Sequence, residues 1–219
     1  MTKTALIAGA TGMTGKQLLK KLIACNIYNK VIVLVRNHIS IEHLKAEVVV
    51  VDYDKLEDFA SKLIADDVFC CMGTTIKKAK SKDAFRKVDY YYPVKLASLT
   101  QKNGATQFMV ISSIGANSHS KIFYSKVKGL MENELQKTSF NTIRIFRPSL
   151  LLGEREEFRF GEKMGIGLYK MFSWLFTGSL KRYKAIEANV VAQGMLNAAQ
   201  LKDKGIFVYE SDEINRMSK

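Results

Sequence analysis

The residues best suited to moving a proton lie in FYSKVKG, 123–129, where Tyr124 and Lys128 stand four apart. On a helix that spacing puts both side chains on one face. A phenol with its ordinary pKa of about 10 is a poor acid–base group at neutral pH. A neighbouring ammonium, or the cationic ring of an oxidised nicotinamide, favours the phenolate and corrects this. Upstream, VISSIGA carries Ser113, whose hydroxyl could bond a substrate carbonyl. Ser113, Tyr124 and Lys128 thus form a candidate catalytic set of polariser, proton donor and tuner for hydride transfer. Tyr-x-x-x-Lys is a weak signal by itself, since a lysine-rich chain produces it often on an ordinary helix face. Its meaning depends on what surrounds it.

A second run supplies that context. Gly9-Ala10-Thr11-Gly12-Met13-Thr14-Gly15 follows an apolar stretch and precedes an amphipathic one. A chain that leaves a strand, admits a pyrophosphate to its backbone and opens a helix needs glycine at such places. Gly9, Thr11, Gly12, Met13, Thr14 and Gly15 are therefore expected to hold a dinucleotide. Arg36 ends the second apolar run, at the position that reads the adenosine ribose. An acid there would accept from a 2′-hydroxyl, whereas an arginine pairs with a 2′-phosphate. The expectation is NADP(H), preferred over NAD(H). Asp52 and Tyr53 end the third run and could reach the adenine, although Asp52 reads equally well as a helix N-cap.

These side chains need a scaffold, and the periodicity provides one. Strand-like runs at 3–9, 30–36, 46–52, 66–73, 107–113, 141–149 and 205–210 alternate with helical patterns at 13–25, 81–103, 123–138, 161–180 and 187–201. Near-continuous apolar strands such as KVIVLVR are those of a sheet covered on both faces. The fold class is α/β, a doubly wound parallel sheet of the Rossmann type. One domain over 1–219 is expected, with roughly 154–204 adding a small substrate-side cap.

The chain has 219 residues, 47% hydrophobic and 25% charged, which excludes a disordered protein. No run reaches the length of a membrane span, and the N-terminal apolar run is too short for a signal peptide. No membrane insertion is expected. Cys25, Cys70 and Cys71 make no metal-ligand spacing with His38, His43 and His119, and read as reduced thiols of a cytoplasmic protein. The net charge is +13. Its densest part, Lys77, Lys78, Lys80, Lys82, Arg86 and Lys87, is read first as a solvated loop, with an anionic ligand or a partner surface as alternatives. Stacking aromatics do not interleave with it, so nucleic acid is not the expected partner. Phe172, Trp174, Leu175 and Phe176 read as packing within the cap, and Glu154 to Arg159 as a mixed-charge connection.

GATGMTG, VISSIGA and YSKVK, in that order, resemble the short-chain dehydrogenase/reductase superfamily. VFCCMGTT, KVDYYY and RIFRPSLLLGERE resemble more narrowly its atypical, Tat-interacting-protein-like branch. The resemblance implies a Rossmann domain binding NADPH. It places Cys71, Gly73 and Thr74 beside the cofactor after the fourth strand, Arg147, Pro148 and Ser149 near the nicotinamide, and Lys128 on the nicotinamide ribose. Many active members hold a relay water with an asparagine, and the matching residue here is Asp89. The expected activity is an NADP(H)-dependent oxidoreductase acting on a small carbonyl or alcohol. The alternative is an NADPH-binding regulatory or redox-sensing protein with little turnover that acts through a protein partner. A homodimer is also open.

Overall fold

The computed structural model describes residues 2–153 and 182–219. The expected helix at 161–180, its aromatic run and the mixed-charge connection lie outside the described residues.

Seven strands form one sheet in the order β3-β2-β1-β4-β5-β6-β9. They are β1 Lys3–Ala8, β2 Tyr28–Val35, β3 Ala46–Val50, β4 Asp67–Cys70, β5 Gln107–Ile111, β6 Thr142–Arg147 and β9 Gly205–Glu210, and every neighbouring pair is parallel. Two short strands, β7 Leu151–Leu152 and β8 Ile186–Glu187, pair with each other outside it. The sheet is buried on both faces because side chains alternate across it. From β1, Leu6 and Ala8 enter one core while Ala5 and Ile7 enter the other. Helices α4 (Tyr92–Lys102) and α5 (Phe123–Leu135) cover the first face, through Leu96, Ala97, Met131 and Leu135. Helix α1 (Met13–Ala24), α6 (Ala188–Ala198) and α7 (Ser211–Met217) cover the second, through Leu18, Leu22, Val191, Met195 and Ile214.

One reading needs correction. Residues 188–198 are not cap. Their apolar stripe packs on the sheet beside α1, and Lys21 donates from Nζ to Gln193 Oε1 at 2.8 Å. The helix expected over 81–103 runs unbroken from Lys82 to Lys102, as α3 Lys82–Arg86, a π turn Lys87–Tyr91 and α4, with helical backbone at both junctions. A four-residue helix, α2 Ile76–Ala79, precedes them, capped by Thr75 Oγ1 on the Lys78 amide. The π turn is closed by the Tyr92 amide donating to the Lys87 carbonyl five residues back. The extra residue rotates Asp89 inward, where it is buried. The sequence pattern also leaves unmarked α2, the short pair β7 and β8, a 3-10 helix at Tyr53–Lys62, and the terminal α7 with its Glu210/Glu213 capping box.

Candidate functional site

The sheet order changes direction between β1 and β4, whose C-terminal ends open a crevice. Gly9 leaves β1 with φ +85, and a Cβ there would lie 2.6 Å from the Cys71 carbonyl carbon. A Cβ on Gly15 would lie 2.0 Å from the Gly9 oxygen. The loop therefore folds back on itself with backbone against backbone, fixed by Gly12 N donating to Gly9 O at 3.0 Å. Helix α1 opens with no side-chain cap on its first amides. Thr14 Oγ1 is buried without a hydrogen-bond partner. Unclaimed amides, an orphaned hydroxyl and a floor with no side chains are what an anionic phosphate bridge needs. The residues present fit a dinucleotide. Met13 turns its side chain onto Gly153, where a Cβ would meet its sulfur at 2.6 Å, and Thr11 is exposed at the loop tip.

Two clefts flank this loop. The first, about 650 Å³, lies beyond β2 and β3 and is lined by Arg36, Asp52, Tyr53, Asp54, Thr74, Lys87 and Tyr92 among others. Arg36 is exposed there. Asp52 is an N-cap, its Oδ1 accepting from Asp54 N at 2.9 Å. Tyr53 is buried and stacks on Tyr92, with ring centroids 5.4 Å apart. Asp54 accepts from Lys87 Nζ and from Tyr92 Oη, and those bonds hold its carboxyl below the usual range. Lys87 and Tyr92 stand in KVDYYY and Asp54 in no motif, and the three meet only after folding.

The second cleft, about 330 Å³, lies beyond β5 and β6. Thr75, Ile76, Ser113, Ile114, Tyr124, Pro148 and Ser149 line it. Its floor is tied by Ile114 N donating to Pro148 O at 3.0 Å. Gly129 admits the loop that precedes α5 onto the helix, since a Cβ there would lie 2.2 Å from Ser118 N. This fixes the distance between the serine strand and the tyrosine helix. Ser113 Oγ makes one long bond, 3.4 Å to Ile114 O, so its hydroxyl is free to turn. Tyr124 packs its ring on Phe85 at 5.6 Å and is 38% exposed, so its hydroxyl end can meet a ligand.

Lys128 is buried one helical turn below Tyr124. Its Nζ lies 2.8 Å from Asp89 Oδ1 and donates to Ile111 O at 3.3 Å. Asp89 Oδ2 accepts from Thr74 N at 2.9 Å. Burial alone would lower the Lys128 ammonium, but Asp89 and Tyr124 more than offset it, and its pKa is raised. Gly73 leaves this pair open on one side, with its missing Cβ 3.5 Å from Asp89 Oδ1. The Arg147 guanidinium is committed elsewhere: its Nε donates to Glu132 Oε1 at 3.0 Å and its second nitrogen to Oε2. Pro148 and Ser149, rather than Arg147, line the cleft. Ser149 likewise gives its hydroxyl to the Lys184 carbonyl. Burial pushes the Cys70 thiol up to about 11 and holds Cys71 well above its ordinary value, so neither is a thiolate at neutral pH. Among the described residues no cluster of His, Cys, Asp and Glu could hold a metal, and no helix is long and apolar enough to cross a membrane.

Parallel sheet, glycine loop and flanking clefts define a dinucleotide-binding protein. A model of the NAD(P)H-binding family matches residues 9–162, and the chain belongs to that family. Within it, this is an atypical short-chain dehydrogenase/reductase of the HTATIP2 branch. Protein HTATIP2 of Rattus norvegicus is 37% identical over 199 residues, 89% of this chain and 80% of that protein. Protein FMP52, mitochondrial, of Candida albicans is 31% identical over 221 residues, 95% of this chain and 96% of that one. Among solved structures, the oxidoreductase ylbE from Lactococcus lactis matches with TM-score 0.58 and 25% identity, covering 69% of this chain and 71% of its own. ADP-L-glycero-D-manno-heptose-6-epimerase of Helicobacter pylori shares the fold, with TM-score 0.71 and 18% identity over 99% of this chain and 80% of that one.

Proposed function

We propose that the protein is an NADP(H)-dependent oxidoreductase that acts on a small carbonyl or alcohol. The observation that carries this is the second cleft, where Ser113 and Tyr124 share one cavity while Lys128 lies a turn below. Strand order favours a cofactor with adenosine in the first cleft, phosphates on the glycine loop and nicotinamide toward the second. When bound, the reduced cofactor supplies the hydride. Ser113 then donates to the carbonyl oxygen, and Tyr124 gives that oxygen a proton. Arg36, exposed at the rim of the first cleft, favours a 2′-phosphate and hence NADP(H) over NAD(H). The three free cysteines support a reducing compartment, and we place the protein in the cytoplasm.

The test is NADPH oxidation against a panel of small aldehydes, ketones and quinones. Tyr124→Phe removes the proton donor and should cost about 10²–10⁴-fold in kcat while NADPH binding is kept. Equal turnover in the variant would remove the role assigned to Tyr124.

A further inference from the structure

The Asp89–Lys128 pair has a consequence for the direction of the chemistry, which rests on the reductase reading above. Both groups are buried, at 1% and 3% exposure, and their charges meet at 2.8 Å. The π turn aims Asp89 at this point, and the Thr74 amide holds its other oxygen. The groups that face Lys128 are Asp89 from the π turn, Tyr124 from its own helix, Cys70 from β4 and the Ile111 carbonyl from β5. Asp89 is the anion among them, because the Cys70 thiol keeps its proton. An ammonium paired this closely presents little net charge to a phenol one turn away. A lysine without its carboxylate would pull Tyr124 toward phenolate.

We propose that Asp89 is a positioning residue that cancels the Lys128 charge, so that Tyr124 stays protonated at neutral pH and the site is set for carbonyl reduction. In that direction Tyr124 Oη–H breaks as the proton passes to the carbonyl oxygen, while hydride from the reduced nicotinamide adds to the carbonyl carbon. The phenolate left behind takes a proton from water through the open mouth of the cleft. Alcohol oxidation needs the phenolate at the start, and in that direction the cationic oxidised nicotinamide beside the ring, rather than Lys128, favours it. Asp89 thereby ties the state of the phenol to the redox state of the cofactor rather than to Lys128.

The test needs no substrate. Tyrosinate absorbance near 295 nm, taken as the difference between each protein and its Tyr124→Phe counterpart, isolates the ionisation of Tyr124. In Asp89→Asn, with the lysine charge uncovered, that ionisation should move down by about one to two pH units. In the double variant Asp89→Asn/Lys128→Met, which removes the pair as a unit, it should return to within about half a unit of wild type. Coincidence of wild type and Asp89→Asn would overturn the proposal. If that single variant fails to fold, the double variant decides alone: an upward move of about one unit or more would mean that Lys128 acts uncompensated. The predicted shifts in a protein that turns over no carbonyl would uphold the charge coupling and remove the reductase reading instead.

Discussion

Gly15→Ala is the sharpest probe of the loop that opens α1. The added Cβ would sit 2.0 Å from the Gly9 oxygen, 2.8 Å from its carbon and 3.0 Å from Ala10 Cα. All three are backbone atoms, so no side chain can swing away, and relief requires a movement of over about 1 Å. The Gly9 oxygen also accepts from Gly12 N, so moving it opens the turn. Overpacking of this kind costs about 1–3 kcal/mol, and a backbone obstacle puts it at the upper end. For a chain of this size about 3 kcal/mol corresponds to a fall in melting temperature of about 6–12 °C. The displaced α1 amides should also weaken NADPH by at least about tenfold. Thermal unfolding by circular dichroism and NADPH titration by fluorescence read the two effects. Gly104→Ala is the control: φ is +93, yet nothing lies within 4 Å of the added atom. It should lose only the backbone strain of about 1–2 kcal/mol and keep its cofactor affinity. A Gly15→Ala protein that matches this control in both readouts would refute the close-approach argument.

Arg36→Ala should weaken NADPH by about 10–100-fold and leave NADH affinity unchanged, measured by paired titrations. Glu132→Gln leaves Arg147 without its buried counter-charge. A cost of about 3 kcal/mol is expected in urea unfolding, the low end of the range because a quarter of the Arg147 side chain meets solvent. Asp67 is buried, which raises its pKa although Lys3 and Tyr28 hydrogen-bond it. Its folded pKa lies above the unfolded one, so the stability it contributes is present in acid and is lost as pH rises through the raised value. The stability of Asp67→Asn relative to wild type should therefore climb from about pH 4 toward neutrality. A difference that falls with pH would contradict that sign.

Much of this architecture can be read from local pattern. The apolar runs mark the five inner strands because a strand buried on both faces has no polar alternation to hide it, and the edge strands β3 and β9 are marked by their own β-branched and aromatic residues although they are partly exposed. The glycine loop is legible because its residues are contiguous and each answers a steric need. The π turn is not, since Lys87 to Tyr91 keeps ordinary helical periodicity and only the five-residue hydrogen bond reveals the extra residue. Nor is the commitment of Arg147 to Glu132, fifteen residues away on another element. The resemblance marks Arg147 as a cofactor neighbour, and only the folded chain shows its guanidinium already paired. The helix 53–62 hides behind a polar face and its kink at Lys55. Residues 188–198 read as cap because the apolar stripe of a helix does not say which surface receives it.

That last placement bears on how the chain reaches its native state. Helix α1, made within the first 24 residues, closes its face of the sheet against α6, which ends at Ala198. Strand β9, the outermost on its side, joins β6 with Gly205 opposite Thr142. During synthesis at about 5–20 residues per second, the apolar flank of α1 must wait on the order of ten seconds or more for its partner. Pairings so distant in sequence also make folding slow. The cofactor loop at the head of α1 shares that delay, so the nascent chain completes a firm dinucleotide site only as its C-terminal third arrives. A chain truncated before α6 should expose Leu18 and Leu22 and go to chaperones rather than to NADPH.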